Sequence, residues 1–551
     1  MISEDESNSE DVSEDTAPAL TDESRVDGDS EDSQRGRYQW AERLRAIAPF
    51  FVLVYVAVSG FVWAVATPLG GVPDEPAHVV YATAVVRHDY GRPLPVDHPE
   101  YSSLMSHVVP EWVTSIVVCY AFDRTVTADC QPPIDEGDEP VSKFTTVARY
   151  QPPYYWVVGL PTLALTGSGA FYAMRAASVI LATVLVGLGL GVAAPGRRWW
   201  LSVGVLAAFT PMAAFLIGSV NPNGAEIAGA IGLAVAILGL VGGPVSRSRL
   251  WFQVVSVVVL AVYLAWARPG TWLTLVAVGG ATLLLNRRGV AGWLRVRPAV
   301  ITAAAALVGF AVIAVLLFEA IARAPVMEVL EYTGFLATPA PLVNNLDSVL
   351  GNWAALLMQD VGIFGWLDHS LPQSLQLMWL ILVGVLLVSA LAVGKREEQF
   401  LLIAAVIGST ILAPLFVIHF VFGSFTGYQG RYQLPLVILI PLCAVFVLGL
   451  RTEGAAKAVF RPIFGWIGFL FPLTMLFAVM WSISRYSIGE PLVWSNILSL
   501  SFLLDAVWEP PMSATVVLIL GSVVLVVLAP IMRKLGATAP TIAFEDRIDE
   551  G

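Results

Sequence analysis

The chain has 551 residues, 56% of them hydrophobic and 13% charged. Soluble domains carry about 25% charged residues, so the composition argues against a soluble enzyme and for a polytopic helical membrane protein. The net charge of −12 belongs to one end: thirteen of the 43 acidic residues and one of the 31 basic residues lie in the first 34 positions, and the rest of the chain is balanced. No basic block points to nucleic acid.

Residues 1–36 form a Ser/Asp/Glu-rich tail without an aromatic residue before Tyr38, and are expected to be disordered and cytoplasmic. The apolar run from Ile47 begins late and reads as an uncleaved first span. Apolar runs then recur, which predicts an all-α protein of about twelve transmembrane helices. They lie near 46–67, 170–194, 198–219, 224–242, 249–268, 271–286, 298–321, 373–393, 398–421, 432–450, 460–482 and 512–532, within a membrane domain over 46–533. With the N-terminus inside, the inside connections hold Arg43/Arg45, Arg197/Arg198, Arg247/Arg249, Arg287/Arg288, Lys395/Arg396, Arg451/Lys457 and Arg533/Lys534. Bases favour the cytoplasmic side, so both termini, including the tail 534–551, are expected there. Three long outer segments remain: 68–169, 322–372 and 483–511. Within the first, residues 151–166 start on two prolines and an aromatic cluster and are expected to lie in the membrane interface, as is the helix starting near Asp74. Cys119 and Cys130 share that segment, where an oxidising compartment allows a disulfide; Cys443 sits in an apolar run and packs there.

Just past the first span, Pro73-Asp74-Glu75-Pro76-Ala77-His78 sets two carboxylates and an imidazole at the membrane surface. Ionisable groups there are costly and mark function. Asp74 has N-cap character, and the spacing of Asp74, Glu75 and His78 lets all three meet at one helix end. Next, Gly218-Ser219-Val220-Asn221-Pro222-Asn223-Gly224 reads as a turn at the same membrane face, followed by Glu226. Asn221 and Asn223 there are neutral ligands for phosphate, sugar hydroxyls or a metal. Arg149, Arg175, Arg268 and Arg431 sit on the outer, less basic side; a guanidinium matches phosphate bidentately, which makes Arg431, Arg268 and Arg175 candidate donor-phosphate ligands. Asp368 and His369 are candidates for the same hollow. Walker, zinc-spacing and nucleophile-elbow motifs are missing from the sequence.

These stretches, together with Tyr150-Gln151-Pro152-Pro153-Tyr154-Tyr155, Arg175 with Ser178, Thr210-Pro211-Met212, Gly365-Trp366-Leu367-Asp368 and Gln429-Gly430-Arg431-Tyr432, resemble a bacterial family of predicted multi-spanning membrane proteins, domain of unknown function 2142. That family is in turn similar to the GT-C glycosyltransferases, which place an acidic motif and interfacial helices in the first outer loop and use polyprenyl-phosphate sugars. The resemblance implies a GT-C-like fold, a catalytic or metal-linked role for Asp74 and a supporting role for Glu75. Where those enzymes often offer a further acid in the second outer loop, this chain has Asn223.

The reading is an inverting GT-C-type glycosyltransferase of the bacterial cytoplasmic membrane. It would move a sugar from a polyprenyl-phosphate donor to a hydroxyl of a glycan, lipid or protein on the outer face. Asp74, Glu75 and His78 are the expected catalytic group, with Tyr150, Asn221, Asn223, Asp368 and Tyr432 against substrate. A divalent metal stays an open alternative, and no organic cofactor is expected. A transporter or flippase of lipid-linked sugars and an envelope-assembly scaffold are the competing readings.

Overall fold

The structure, a computed structural model, describes residues 23–93, 105–332, 340–425, 427–451, 455–490, 492, 494–499, 501, 505–508 and 514–537. It is helical in nearly every described segment, as the apolar runs require, because a backbone in lipid must satisfy its own hydrogen bonds. The helices in chain order are α1 (Glu23–Ala66), α2 (Glu75–Val85), α3 (Pro153–Gly159), α4 (Gly167–Val192), α5 (Pro195–Ala208), α6 (Pro211–Ile217) and α7 (Pro222–Gly239). Then come α8 (Arg247–Ala265), α9 (Thr271–Leu285), α10 (Arg287–Leu294), α11 (Pro298–Tyr332), α12 (Leu342–Gly351), α13 (Trp353–Gly362) and α14 (Gln373–Val393). The last are α15 (Arg396–Ile407), α16 (Ala413–Val417), α17 (Leu434–Val437), α18 (Leu439–Arg451), α19 (Ala455–Ile488), α20 (Trp494–Leu498) and α21 (Ala514–Ala537).

Among the described residues nine helices are long and apolar enough to cross a membrane, and α5 with α6 makes a tenth if the bent pair is one span. The α9 run, 15 residues long, falls short of that length. The expected number of twelve is therefore not established, although each expected segment is helical. The α5–α6 pair bends by 85°. Pro211 explains it: proline removes an N–H and forces the preceding Thr210 to an extended ψ of 162°. Two further expectations change. Helix α1 reaches back to Glu23, inside the tail read as disordered, because an apolar span already carries the helical nucleus onto which polar turns add; residues 1–22 and 538–551 lie outside the described residues. Helix α19 runs on to Ile488, so Arg485 and Tyr486 stand on a helix rather than in an outer loop.

The described residues of 68–169 form a small layer. Its strands β1 (Arg92–Pro93), β2 (Met105–Pro110) and β3 (Pro140–Thr145) pair antiparallel in that order, with His107 opposite Lys143. Cys119 and Cys130 form a disulfide across it. α2 and α3 pack together beneath the sheet, burying Tyr81, Val85, Tyr154, Tyr155 and Val158. A second hairpin, β4 (Ile363–Phe364) with β5 (His369–Ser370), turns through Gly365 and Leu367, both at positive φ. The bundle core below is apolar, and helix α7 is buried over its whole length. Its approach to α4 depends on missing side chains: a Cβ on Gly189 would strike the Gly232 carbonyl, and one on Gly232 the Leu185 carbonyl.

Candidate functional site

The chain leaves α1 at Ala66 and makes a tight corner before α2 starts at Glu75. Asp74 sits at that corner with φ 67°, the left-handed region that a non-glycine residue enters at a cost of about 1–3 kcal/mol. Its side chain makes no cap hydrogen bond to α2, which corrects the N-cap expectation. The left-handed backbone aims the carboxylate away from the helix. There Oδ2 accepts from Nη2 of Arg431 at 2.8 Å. The Arg431 side chain is 3% exposed and the Asp74 side chain 49%, so the cation is built in while the carboxylate edge stays accessible.

Arg431 is held from several sides. Its Nη1 donates weakly to the Pro73 carbonyl at 3.5 Å, and its guanidinium lies 5.2 Å from the centre of the Tyr432 ring. Gly430 lets this segment press on α13: a Cβ there would meet Gln359 at 2.6 Å, and the Gly430 N–H donates to Gln359 at 2.7 Å. Three residues on, Gln433 donates to the buried Asp360 carboxylate at 2.7 Å. Burial pushes the Asp360 carboxyl well above the usual range, against the opposing pull of that hydrogen bond. Nε of Arg431 and Oδ1 of Asn223 are buried with no hydrogen-bond partner among the described residues. Such atoms are rare and call for a cause, and a polar ligand is one.

A second ion pair faces the same Tyr432 ring. Arg268, in the corner between α8 and α9, lies 5.6 Å from the ring centre and donates through Nε to Glu226 at 2.5 Å. Glu226 belongs to the first turns of α7, where Asn221 caps the helix by accepting from the Asn223 N–H, and Pro222 fits N1. Asn223 and Thr274 both donate to Glu226, and Asn221 donates to the Pro73 carbonyl at 3.1 Å, tying the α7 start to the Asp74 corner. His78, Tyr150 and Tyr155 close the other side. His78 Nδ1 and the Tyr155 hydroxyl are 2.8 Å apart, and the His78 and Tyr150 rings meet edge to face at 5.8 Å. Burial pulls the His78 pKa down to about 3; Arg431 and Arg268 add to this, and Asp74 opposes it. His78 is therefore a neutral imidazole at physiological pH. Burial likewise raises the Tyr150 phenol.

Asp74, His78, Tyr150, Asn221, Asn223, Arg268, Arg431 and Tyr432 thus share one neighbourhood. Four expected members, Glu75, Arg175, Asp368 and His369, do not. Glu75 turns away from Asp74 into the core, fully buried, and receives Nε and Nη2 of Arg175 at 2.8 and 2.6 Å. Arg175 also donates to the carbonyls of Ala64, Thr67 and Pro68. All five of its N–H groups are spent inside the protein, which leaves none for a phosphate. The reason is local: the left-handed backbone at Asp74 turns its side chain off the helical path that Glu75 begins, so the two carboxylates do not face one target. Asp368 is likewise buried, bonded to His369 and receiving Nη2 of Arg485 at 3.2 Å; Arg485 also holds the carbonyls of Tyr120, Asp123 and Val126. That network pins the disulfide-bearing segment to α19. The sequence reading passed over the Glu226–Arg268 pairing, Asp360 and Arg485 as site-building groups. A charge within or at the edge of an apolar run was the available signal for Glu226, Arg268 and Asp360, whereas Arg485 reads as a loop charge. Among the described residues, no three His, Cys, Asp or Glu side chains gather as a metal would need.

Residues 57–440, well over half of the chain, match the model of the family described as Predicted membrane protein (DUF2142). The chain belongs to this family. No curated protein matches it. Among solved structures it is similar to the crystal structure of ArnT from Cupriavidus metallidurans bound to undecaprenyl phosphate, at 13% identity and a TM-score of 0.39, over 89% of this chain and 76% of that chain. At that score the likeness assigns no residue a role. The DUF2142 chain is an integral multi-pass membrane protein by its family and its apolar helices.

Proposed function

We propose that this DUF2142 protein is a glycosyltransferase that uses a polyprenyl-phosphate sugar and acts on the outer face of the bacterial cytoplasmic membrane. The observation that carries the reading is the Asp74–Arg431 pair, a strained, half-exposed carboxylate 2.8 Å from a buried guanidinium at the mouth of an apolar bundle. Glycosyl transfer from a phosphodiester needs both groups: a base for the acceptor hydroxyl and a cation for the departing phosphate.

In the proposed step Arg431 turns from Asp74 to the donor phosphate, with Arg268 across the Tyr432 ring as the second cation. Asp74, released, takes the proton of the acceptor hydroxyl. The acceptor oxygen bonds to the anomeric carbon as the bond from that carbon to the phosphate oxygen breaks. The electron pair leaves on polyprenyl phosphate, whose added negative charge meets the two guanidinium groups. Tyr150, Asn221 and Asn223 bound the sugar, and neutral His78 adds no third positive charge beside Arg431 and Arg268.

The test is transfer by purified protein from candidate lipid-linked pentoses and hexoses, read by mass analysis of the acceptor. Asp74→Asn is expected to lower transfer by about 10²–10⁴-fold, the usual contribution of a positioned base, with expression unchanged. Full activity in that variant removes Asp74 from the mechanism.

A further inference from the structure

A charged hollow lies at the end of the bundle opposite Asp74. α9 ends there at Leu285, α18 ends at Arg451, and α5, α10 and α15 begin there. A cavity of about 100 Å³ sits where they meet. Arg197, Arg287, Arg288, Lys395 and Arg451 line it, against the carboxylates of Glu397 and Glu398. The lining is net positive. The positive-inside trend explains bases in each loop taken singly. It does not require side chains from four distant segments to line one cavity.

The hollow is built rather than incidental. Arg197 is 5% exposed, and its Nη1 donates to the carbonyls of Leu238 and Leu240 and to Asn286 Oδ1. Arg451 grips Glu398 through Nε at 2.9 and 3.1 Å, which neutralises that acid. Arg287 meets Glu397 at 2.5 Å, but both side chains are more than half exposed, so solvent competes for that pair. Asn286 heads α10 without a side-chain cap, so the first N–H groups of that helix add positive potential at the cavity. The remaining wall is aliphatic, with Leu284 and Leu401 reaching toward the bundle flank.

A basic floor beside an aliphatic wall fits a ligand with a phosphate head and a hydrocarbon tail. We propose that this cavity binds the phosphodiester headgroup of an anionic phospholipid, with an acyl chain along Leu284 and Leu401. The site is separate from Asp74, and its test does not depend on the transferase reading.

The experiment uses full-length protein, delipidated in detergent, titrated with phosphatidylglycerol, phosphatidylcholine or inorganic phosphate. Bound lipid is read by native mass spectrometry and protection by the melting temperature. The expected result is retention of phosphatidylglycerol at least tenfold tighter than phosphatidylcholine, with no protection by millimolar phosphate. Arg287→Ala with Arg288→Ala should weaken phosphatidylglycerol binding about thirtyfold, at about 1 kcal/mol for each charge removed. Equal binding of the two lipids overturns the proposal, as does protection by phosphate alone. Unchanged phosphatidylglycerol affinity in the double variant overturns it as well. If that variant does not fold, the lipid preference of the native protein decides.

Discussion

Asp74 and Glu75 are chain neighbours with opposite fates, and the backbone at position 74 separates them. The left-handed φ of 67° sends Asp74 to Arg431, while Glu75 starts a regular helix and falls into the core against Arg175. Asparagine tolerates the left-handed region better than most residues, so Asp74→Asn changes charge with little backbone penalty. Breaking the buried pair is different. Glu75→Gln strands the Arg175 charge and is expected to cost about 3–5 kcal/mol, read as a fall in melting temperature. Folded protein recovered from that variant should still transfer sugar; loss of transfer at native stability would return Glu75 to the chemistry. His78 contributes a pH dependence of its own. Its folded pKa of about 3 lies below the ordinary value of 6.5, so the unfolded chain takes up the proton first. Stability from this group is complete above about pH 6.5 and drains away as the pH falls toward 3. His78→Gln should flatten that part of a melting-temperature-versus-pH curve. The doublet of acids was legible in the sequence; which of the two faces Arg431 was not, because it depends on one backbone angle.

At the scale of elements, prolines and glycines do the positioning. Pro211 breaks the α5–α6 span and leaves Thr210 free to donate to the Asp360 carbonyl, which ties the break to α13 and so to the Arg431 segment. Gly232 lets α7 lie against α4, and α7 delivers Asn221, Asn223 and Glu226. Gly232→Val is expected to prevent that approach and to sharply reduce the monodisperse fraction on size exclusion, since overpacking costs about 1–3 kcal/mol even where neighbours can shift. The positions of the helices were readable from apolar periodicity and cap residues. Their breaks were partly hidden: 198–219 reads as one continuous apolar run until the consequence of Pro211 for Thr210 is counted. The helical continuation of α19 to Ile488 was hidden too, since Arg485 looks like a loop charge until the carbonyls of Tyr120, Asp123 and Val126 are seen around it.

For the whole molecule, the Cys119–Cys130 bond closes a short loop in the segment that Arg485 ties to α19. Loop-closure entropy makes it worth about 3 kcal/mol. Cys119→Ser with Cys130→Ser is expected to speed proteolysis within the first outer segment while the bundle stays intact; equal cleavage rates would deny it that role. The same bond, with the basic connections at the other end, supports the proposed orientation. Phosphatase fusions after residue 120 should be active and those after residue 290 inactive, and the reverse pattern would invert the topology. Composition and the period of apolar residues alone were enough for a helical bundle in lipid, because burying backbone in hydrocarbon admits few other solutions. The choice of Asp74 over Glu75, Arg431 over Arg175, and Glu226 as partner of Arg268 came only with the tertiary structure. Those choices rest on contacts between residues up to 357 positions apart, and an ion pair over that separation leaves no periodic trace along the chain.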